Sequence, residues 1–316
     1  MSIFRKSRWM VWAENFALVL IISFAFYTTL PVKTTKTLLV PQGSISYIIS
    51  QLTQKGYALS PIDKYILAFL GKPQSGWVDI GETQLNRIDF LYKLTTAKAK
   101  MEEITLIPGE TREIFFTAIA NDLKLDKKKL DTYYKTFSKY PEAGIYSDTY
   151  YVPYGISEKH LIHFLLSESE KKYETISKKV YGTYNTKQWT NILTIASIIQ
   201  KEAANNEEMP LVSSVIYNRL KKGMRLQMDG TLNYGKYSHI KVTPARIKND
   251  TSRFNTYKYK GLPHSPIGAV SFDAIIAAIK PAKTNYIYFM KNAQGVHDFT
   301  DNYKTHRKNI QKARRR

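Results

Sequence analysis

The sequence predicts an α+β protein, rich in helices, that follows a single N-terminal membrane-spanning helix. Three observations support this class: an uncharged apolar run near the N-terminus, two short β-type runs that each precede an amphipathic helix, and helical periodicity through the middle of the chain. With 316 residues, the chain is long enough for one large domain or two smaller ones. Its 43% hydrophobic and 23% charged residues are typical of a globular protein.

The uncharged run covers residues 15–32 and predicts a transmembrane helix. Eighteen residues are near the lower limit for crossing a bilayer core. Trp9, Trp12 and Tyr27 stand where interfacial aromatic side chains are expected. Three basic residues precede the run, which predicts that residues 1–14 are cytoplasmic and that everything after Lys33 is on the far side; these are Arg5, Lys6 and Arg8.

Two other interpretations of this run are weaker. A cleaved signal peptide would need a small-x-small cleavage site, and none is clear before Lys33. A buried helix of a soluble protein is disfavoured by the terminal position of the run. We therefore expect a single-pass anchor, with the rest of the chain outside the cytoplasm.

The charge balance is strongly basic, with a formal net charge of +21. Such a field attracts any polyanion, whether nucleic acid, anionic lipid or an acidic polymer. Because most of this charge falls beyond the predicted anchor, we do not expect a nucleic-acid partner. The chain has no cysteine, which excludes disulfides, thiolate metal sites and a cysteine nucleophile.

After a short polar tether, Lys33 to Thr37, a β-type run broken by proline and glycine precedes a helical pattern twice, from Leu38 and from Thr105. Each helical pattern keeps an apolar stripe on one side. The two expected stripes are Ile45, Ile48, Ile49 and Leu52 in the first copy, and Ile114, Phe115, Ala118 and Ile119 in the second.

The C-terminal half has a different pattern. A glycine- and tyrosine-rich segment from Glu142 is typical of a structured loop. Helices are predicted at Ser157–Tyr173, Trp189–Ala204, Pro210–Lys222 and from Ser271, as the N-cap, through Ile279. Two paired strands are predicted around the turn N-A-Q-G near the C-terminus.

Glu202 ends an otherwise apolar helical run and is the candidate general acid. Ile195, Ile198 and Ile199 precede it by seven, four and three residues, so they share its face of the helix. Burial under such a stripe raises the pKa of a carboxyl group and keeps it protonated nearer neutral pH. The alternative is an ordinary solvated glutamate at a helix end, with Lys201 as its partner.

Amide, hydroxyl and carboxylate side chains interleaved with tyrosines follow Glu202. Such a set suits a sugar polymer, which offers hydroxyl groups and flat C–H faces, although for any one residue packing or loop support is the alternative. The candidate substrate-binding residues are Asn218, Gln227, Asp229, Thr231, Tyr234, Asn255 and Tyr257. The histidines lack tight metal-ligand spacing, so neither a metal nor another cofactor is expected.

Four segments, in order, resemble the MltG (YceG-like) family of endolytic murein transglycosylases. They are I-A-S-I-I-Q-K-E-A, S-V-I-Y-N-R-L-K-K-G-M-R-L-Q-M-D-G-T-L-N-Y-G, F-N-T-Y-K-Y-K-G-L-P-H-S-P-I-G and Y-F-M…G-V-H-D-F. In addition, E-A-G-I-Y-S-D-T-Y is similar to the family segment E-G-x-x-x-P-D-T-Y, and the Pro–Gly units resemble its LysM-like region. The family's catalytic glutamate matches Glu202, while Gln200 stands where relatives carry an earlier glutamate. M-D-G-T in place of D-P-T, and P-H-S-P in place of P-P-G-P, are two further departures.

The resemblance implies an inner-membrane enzyme that cuts nascent peptidoglycan glycan strands in the periplasm. It implies a tether and LysM-like region over residues 33–138 and a catalytic domain over residues 139–316. Glu202 would be the single acid and base, because the C6 hydroxyl of the muramic acid supplies the nucleophile intramolecularly. An association with peptidoglycan synthases is expected from the resemblance alone.

Three other functions remain open at this stage. A non-catalytic, membrane-tethered peptidoglycan-binding scaffold would bind glycan without cutting it. A glycan hydrolase would use Asp229 as its base and leave reducing ends that carry solvent oxygen. Nucleic-acid binding would depend on the net charge alone, and the predicted topology argues against it.

Overall fold

A computed structural model describes residues 8–314 as a mixed, helix-rich α+β protein with small two-stranded sheets, which confirms the predicted class in this coarse form. The helices are α1 (Arg8–Thr29), α2 (Ile45–Gln54), α3 (Asp63–Leu70), α4 (Arg87–Thr96), α5 (Arg112–Asp122), α6 (Lys127–Phe137), α7 (Glu158–Tyr181), α8 (Thr186–Glu202), α9 (Met209–Lys221), α10 (Pro244–Asn249), α11 (Phe272–Ile279) and α12 (Tyr303–Arg314). The strands are β1 (Pro31–Lys33), β2 (Thr37–Val40), β3 (Gly76–Asp79), β4 (Gln84–Asn86), β5 (Met101–Thr105), β6 (Thr149–Pro153), β7 (Tyr288–Lys291) and β8 (His297–Thr300).

The chain groups into two compact units. The first contains the chain up to Glu102 together with Pro153–Gly155, and the second contains Glu103–Val152 and the chain from Ile156 onward. The predicted boundary after residue 138 stays a prediction. Basic residues Arg5 and Lys6 lie outside the described residues.

In the first unit, two antiparallel strand pairs and helices α2 to α4 enclose an apolar core. Strand β1 pairs with β4, placing Val32 opposite Leu85, and β2 pairs with β3, placing Leu38 opposite Val78. The residues predicted as a tether are thus part of this fold, because Lys33 ends one strand and Thr37 begins the next.

Both predicted β–α units are present, as β2 followed by α2 and as β5 followed by α5. The stripe predicted for α2 is right: Ile48, Ile49 and Leu52 are buried there, and Ile45 is half-buried. The stripe predicted for α5 is partly wrong, because Ala118 is exposed and Ile114 only half-buried. Phe115, Phe116, Ile119 and Ala120 form the buried face instead.

The rotation of the α5 stripe has a packing cause. Phe116 is fully buried and meets the ring of Tyr134 edge-on at 5.7 Å between centroids. A large aromatic ring therefore takes the interior position that the sequence pattern assigned to smaller side chains. Strand β5 also pairs with β6, which comes from the segment predicted to be a structured loop.

Helix α8 lies at the centre of the second unit. Its side chains from Trp189 to Ile199 include nine buried residues, and it packs against α9 and α11. Predicted helices α8, α9 and α11 are confirmed to within a few residues, and the Ser271 hydroxyl caps α11 by accepting the N–H of Ala274. Helix α7 continues eight residues beyond its predicted end, to Tyr181, where Gly182 terminates it in a left-handed conformation. The predicted hairpin is also present, with Tyr288 opposite Thr300.

Candidate active site

Glu202 is the last residue of α8, and three turns of buried apolar side chains precede it. Ile195, Ile198 and Ile199 are at most 4% exposed, as their spacing predicts, and Glu202 itself is only partly accessible to solvent. The helix ends here because Ala203 is extended. One carboxyl group is thus placed at the edge of the core, at the end of a largely buried helix.

The carboxyl of Glu202 accepts a hydrogen bond from the backbone N–H of Gly230, at 2.6 Å from Oε1. Burial raises the pKa of Glu202 to about 7. The hydrogen bond from Gly230 lowers this pKa, the charge of Asp229 raises it, and the charge of Arg219 lowers it. Glu202 can therefore both hold and release a proton near neutral pH.

Gly230 reaches Glu202 because it has no side chain. An added Cβ would lie 2.7 Å from the Cβ of Lys201 and 2.9 Å from Oε1 of Glu202. The sequence showed only a D-G turn here. Its glycine is required for this close approach to the end of α8 rather than for a positive φ.

The loop that carries Gly230 is held from beneath by two threonines. The hydroxyls of Thr231 and Thr256 are 3.0 Å apart, Thr231 donates to the carbonyl of Met228, and Thr256 accepts the N–H of Met228. Gln227, which is exposed, has φ of +47°, a strained conformation for a residue with a side chain. The polar–apolar alternation of the sequence is therefore seen in burial, with Gln227 and Asp229 outward, although the segment forms no strand.

Asp229 presents a second carboxylate next to the acid. The hydroxyl of Tyr257 donates to its Oδ1 at 2.7 Å. Burial raises the pKa of Tyr257 well above its usual range, and the negative charges of Asp229 and Glu202 raise it further. The phenol thus stays protonated and orients the exposed carboxylate of Asp229.

Three of the predicted substrate-binding residues have internal roles. Asn218 donates to the carbonyls of Thr284 and Tyr286, at 2.8 and 2.9 Å. Asn255, fully buried, donates to two carbonyls of the segment that begins with α10. Thr231 is also fully buried. These contacts correspond to the loop support that was the alternative for each residue.

Tyr234 contacts the chain that follows α10 and not the residues around Glu202. Its ring stacks on Phe254 at 4.3 Å between centroids, and its hydroxyl donates to Asp250 at 3.0 Å. Among the predicted residues, the structure therefore brings Asp229 and Tyr257 to Glu202. Gln227 is next to them in sequence and exposed, whereas Asn218, Thr231 and Asn255 hold the surrounding chain.

Two further networks, which the sequence did not indicate, fix the end of α8. In the first, the ammonium group of Lys201 donates to the hydroxyl of Ser238 at 2.8 Å. The neighbouring His239 bonds through Nε2 to the buried Glu110 at 2.7 Å, and Glu110 also accepts the N–H of Thr111. Burial raises the pKa of Glu110, but these hydrogen bonds outweigh it, so the net pKa is lowered.

In the second network, the buried carboxylate of Glu208 holds the chain directly after the acid. It accepts the backbone N–H of Ala204 at 3.1 Å and the backbone N–H of His297 at 2.7 Å. The oxygen that accepts the Ala204 N–H, Oε2, also lies 2.6 Å from Nδ1 of the His297 imidazole. The histidine of the G-V-H-D-F segment is therefore part of a clamp on the segment that follows α8.

Gln200 and Glu142 bear on which carboxyl group is the acid. Gln200 accepts the backbone N–H of Ser271, so it helps to begin α11. Burial raises the pKa of Glu142 also to about 7, with the charge of Arg112 opposing it. Glu142, however, accepts the first N–H of α5 at 2.7 Å, and it faces a small cavity lined by Phe115 and Tyr134. A raised pKa alone does not distinguish the two acids; their surroundings do.

Within residues 8–314, no group of three or more His, Asp or Glu side chains is placed to hold a metal ion. What the site offers is one carboxyl group that titrates near neutral pH, beside a tyrosine-held carboxylate on an open surface. Such a pair of groups can perform general acid–base chemistry.

Comparison with known proteins identifies the family. The sequence profile of the YceG-like family matches residues 38–312, and the chain belongs to that family. The endolytic murein transglycosylase of Bacillus subtilis (strain 168) is 28% identical over 307 residues, which cover 87% of this chain and 84% of that protein. The endolytic murein transglycosylase of Streptococcus pneumoniae serotype 2 (strain D39) is 31% identical over 165 residues, which cover 50% of this chain but only 30% of that protein.

A solved structure has the same fold. The crystal structure of a YceG-like protein from Listeria monocytogenes aligns with a TM-score of 0.57 at 26% identity. The alignment covers 87% of this chain and 99% of that one. The family resemblance predicted from the sequence motifs is thereby confirmed.

Proposed function

We propose that this chain is a membrane-anchored endolytic murein transglycosylase. It would cut the MurNAc–GlcNAc bond of nascent peptidoglycan strands, leave anhydro-MurNAc ends and so limit strand length. The observation that carries the proposal is Glu202, whose pKa burial raises to about 7 at the end of a dry helix. The names of the Bacillus and Streptococcus relatives support the substrate and the reaction.

The proposed reaction needs one acid and no water. Protonated Glu202 gives its proton to the glycosidic oxygen, and the bond between that oxygen and C1 of MurNAc breaks. The C6 hydroxyl of the same sugar then forms a bond to C1, and its proton returns to the carboxylate of Glu202. Because the nucleophile belongs to the substrate, its effective concentration is high and a second catalytic carboxylate is not required.

Asp229 has an electrostatic role in this proposal. A negative charge held by Tyr257 on an exposed loop stabilises the positive charge that develops at C1. The charge of Asp229 also raises the pKa of Glu202 and thereby favours its protonated form. The two carboxyl groups thus have different roles, Glu202 as the acid and Asp229 as the electrostatic stabiliser.

The glycan groove is proposed to run along the exposed side chains of this loop. Gln227, Asp229, Tyr234 and Tyr257 are the residues that we expect to touch sugar. Asn218, Thr231 and Asn255, proposed from the sequence as groove residues, would act through the loops that they hold. The LysM-like identity of the region 33–138, and the catalytic domain 139–316, belong to this proposal.

Anchoring depends on α1, which is long and apolar enough to cross a bilayer and has no buried residue. We propose that the span lies within α1 and ends at Thr29, short of the predicted residue 32, because Val32 of β1 is buried in the core of the first unit. Residues 1–14 would be cytoplasmic and the catalytic part periplasmic. Trp9 and Trp12 are 80% and 76% exposed at one end of the helix, as interfacial side chains would be. An interaction with peptidoglycan synthases is proposed from the family resemblance alone.

The test is cleavage of purified glycan strands by the full chain in detergent, followed over time by mass spectrometry. Glu202→Gln should reduce the rate at least about 100-fold, since general acid catalysis is worth about that much or more. Glu142→Gln is the matched control, because burial raises the pKa of both glutamates to about 7.

We expect Glu142→Gln to keep cleaving. Equal losses in the two variants would mean that Glu202 has no special role. Glycan binding without cleavage by the unmodified chain would favour the scaffold function instead. The exposed Asp229 beside the acid favours a hydrolase as the second candidate. A hydrolase leaves reducing ends, whereas the transglycosylase leaves anhydro ends.

A further inference from the structure

Helix α3 carries a stripe of large apolar side chains that face solvent. Ile62, immediately before the helix, is 55% exposed, Tyr65 is 68% exposed and Phe69 is 91% exposed. Their spacing of three and four residues places them on one side of the helix. The adjacent side of the helix, with Ile66 and Leu67, is buried in the core of the first unit. The core of this unit therefore does not use the exposed stripe.

This stripe begins at the outer end of α1. The hydroxyl of Tyr27, in the last turn of α1, donates to Oδ1 of Asp63 at 2.9 Å and is 2.6 Å from the hydroxyl of Ser60. Asp63 is the first residue of α3. Because a helix rises about 1.5 Å per residue, Phe69 lies only about 9 Å further along the axis of α3 than Asp63. The whole stripe thus lies close to the end of α1.

A buried cation fixes this junction. Arg87 donates to Oδ2 of Asp63 at 2.6 Å and to the hydroxyl of Tyr27 at 2.9 Å. Its guanidinium group also lies 4.2 Å from the centroid of the Tyr27 ring. Asp63 is fully buried and Arg87 is 6% exposed. This set of charge-assisted hydrogen bonds holds α3 in one position relative to the end of α1.

We propose that the exposed face of α3 docks on the anionic phospholipid surface of the membrane that α1 spans. This inference rests on the membrane anchor of the proposed function. Tyr27 would lie at the depth where aromatic side chains of spanning helices meet the headgroups, and the stripe of α3 starts from the same depth. An apolar helix face of this kind inserts at the boundary between headgroups and acyl chains.

The charges around the stripe suit the same partner. Lys64 lies on α3 with its ammonium group 4.8 Å from the centroid of the Tyr65 ring, and Lys72 is exposed just after the helix. Lys33 and Lys36, also exposed, follow the end of α1. Basic side chains close to the bilayer are attracted to anionic lipid. The first unit would then be held to the membrane by both α1 and α3, and its orientation over the bilayer would be fixed.

The absence of cysteine from the chain allows a direct test on the full-length protein. Single-cysteine variants Leu20→Cys, Tyr65→Cys, Phe69→Cys and Tyr47→Cys each receive one spin label, in nanodiscs of phosphatidylethanolamine and phosphatidylglycerol. All four positions are at least 48% exposed, so the label does not disturb the core. Collision with oxygen reports lipid, and collision with a water-soluble nickel chelate reports water.

We expect labels at positions 65 and 69 to collide more with oxygen than with the chelate, and the label at Tyr47, on α2, to behave as aqueous. Labels at 65 and 69 that match the Tyr47 label, or that are shielded from both reagents as by a protein partner, would overturn the docking. The label at Leu20, in the middle of α1, tests the anchor separately. If it is lipid-exposed while Phe69 is aqueous, only the docking fails; if it is aqueous, the anchor fails and the docking with it.

Discussion

The pH dependence of glycan cleavage should follow the protonation of Glu202. With a pKa of about 7, this carboxyl is about 90% protonated at pH 6 and about 10% protonated at pH 8. A glutamate with its ordinary pKa of 4.5 would be protonated only to about 0.3% at pH 7. Since the reaction begins with the protonated acid, kcat/KM should fall about tenfold between pH 6 and pH 8.

Asp229→Asn tests whether the neighbouring charge sets the pH at which kcat/KM falls, that is, the alkaline limb of the pH profile. The negative charge of Asp229 raises the pKa of Glu202, so removing it should lower that pKa and move the alkaline limb to lower pH. The assay is kcat/KM from initial rates on a defined glycan strand, measured from about pH 5 to pH 9. The variant should also be slower at its own optimum, because the charge near C1 is lost.

Asp250→Asn is a close control for this experiment. Asp250 also accepts a tyrosine hydroxyl, that of Tyr234, yet it does not act on the pKa of Glu202. Its substitution should leave the limb at its original pH, whatever it does to the rate. An alkaline limb that is absent in the unmodified protein would show that the rate does not depend on protonated Glu202. A limb that stays in place in Asp229→Asn would show that the charge of Asp229 does not raise the pKa of Glu202.

Three more predictions concern stability and positioning. The pKa of Glu202 rises from 4.5 in the unfolded state to about 7 in the folded state, so the free energy of unfolding falls as the pH rises through this range. Glu202→Gln should therefore be more stable than the parent by about 3 kcal/mol at pH 8 in urea unfolding. Below about pH 4 the two proteins should be equally stable. A lower stability of Glu202→Gln at pH 8 would contradict the burial of this acid. Gly230→Ala should lower the free energy of unfolding by about 1–3 kcal/mol, seen as a lower melting temperature, because the added Cβ meets Lys201 and Glu202. It should also lower the cleavage rate; an unchanged melting temperature and rate would mean that the loop adapts without cost. Tyr27→Phe removes one hydrogen-bond donor from the buried Asp63 and should lower the free energy of unfolding by about 1–3 kcal/mol, measured by chemical unfolding of the full chain in detergent. An unchanged midpoint would show that this hydrogen bond does not stabilise the junction of α1 with α3.

Local patterns in the sequence predicted much of this fold. The 3.6-residue period placed Ile195, Ile198 and Ile199 under Glu202, and the serine before an apolar run identified Ser271 as a cap. The burial of α5 differed from its pattern because Phe116 packs on Tyr134, from the next helix along the chain. Periodicity identifies a helix more securely than it identifies the buried side of that helix.

The surroundings of the acid could be predicted only in part. Asp229 and Tyr257 were candidates because of their chemistry, but the hydrogen bond of Gly230 to Glu202 joins residues 28 positions apart and depends on how a loop meets a helix end. Asn218 was a candidate as an amide, although its donors face backbone carbonyls. Spacing along the chain does not say whether an amide points to a groove or to the backbone.

In the proposed reaction, Glu202 drives an intramolecular attack at the muramic acid, without water. The most direct measurement is to run the cleavage by the full chain in water enriched in heavy oxygen, and to analyse the new glycan ends by mass spectrometry. The proposed reaction predicts anhydro-MurNAc ends that carry no heavy oxygen and that do not form in Glu202→Gln. Reducing ends that carry heavy oxygen would contradict it and would make Asp229 the base of a hydrolase.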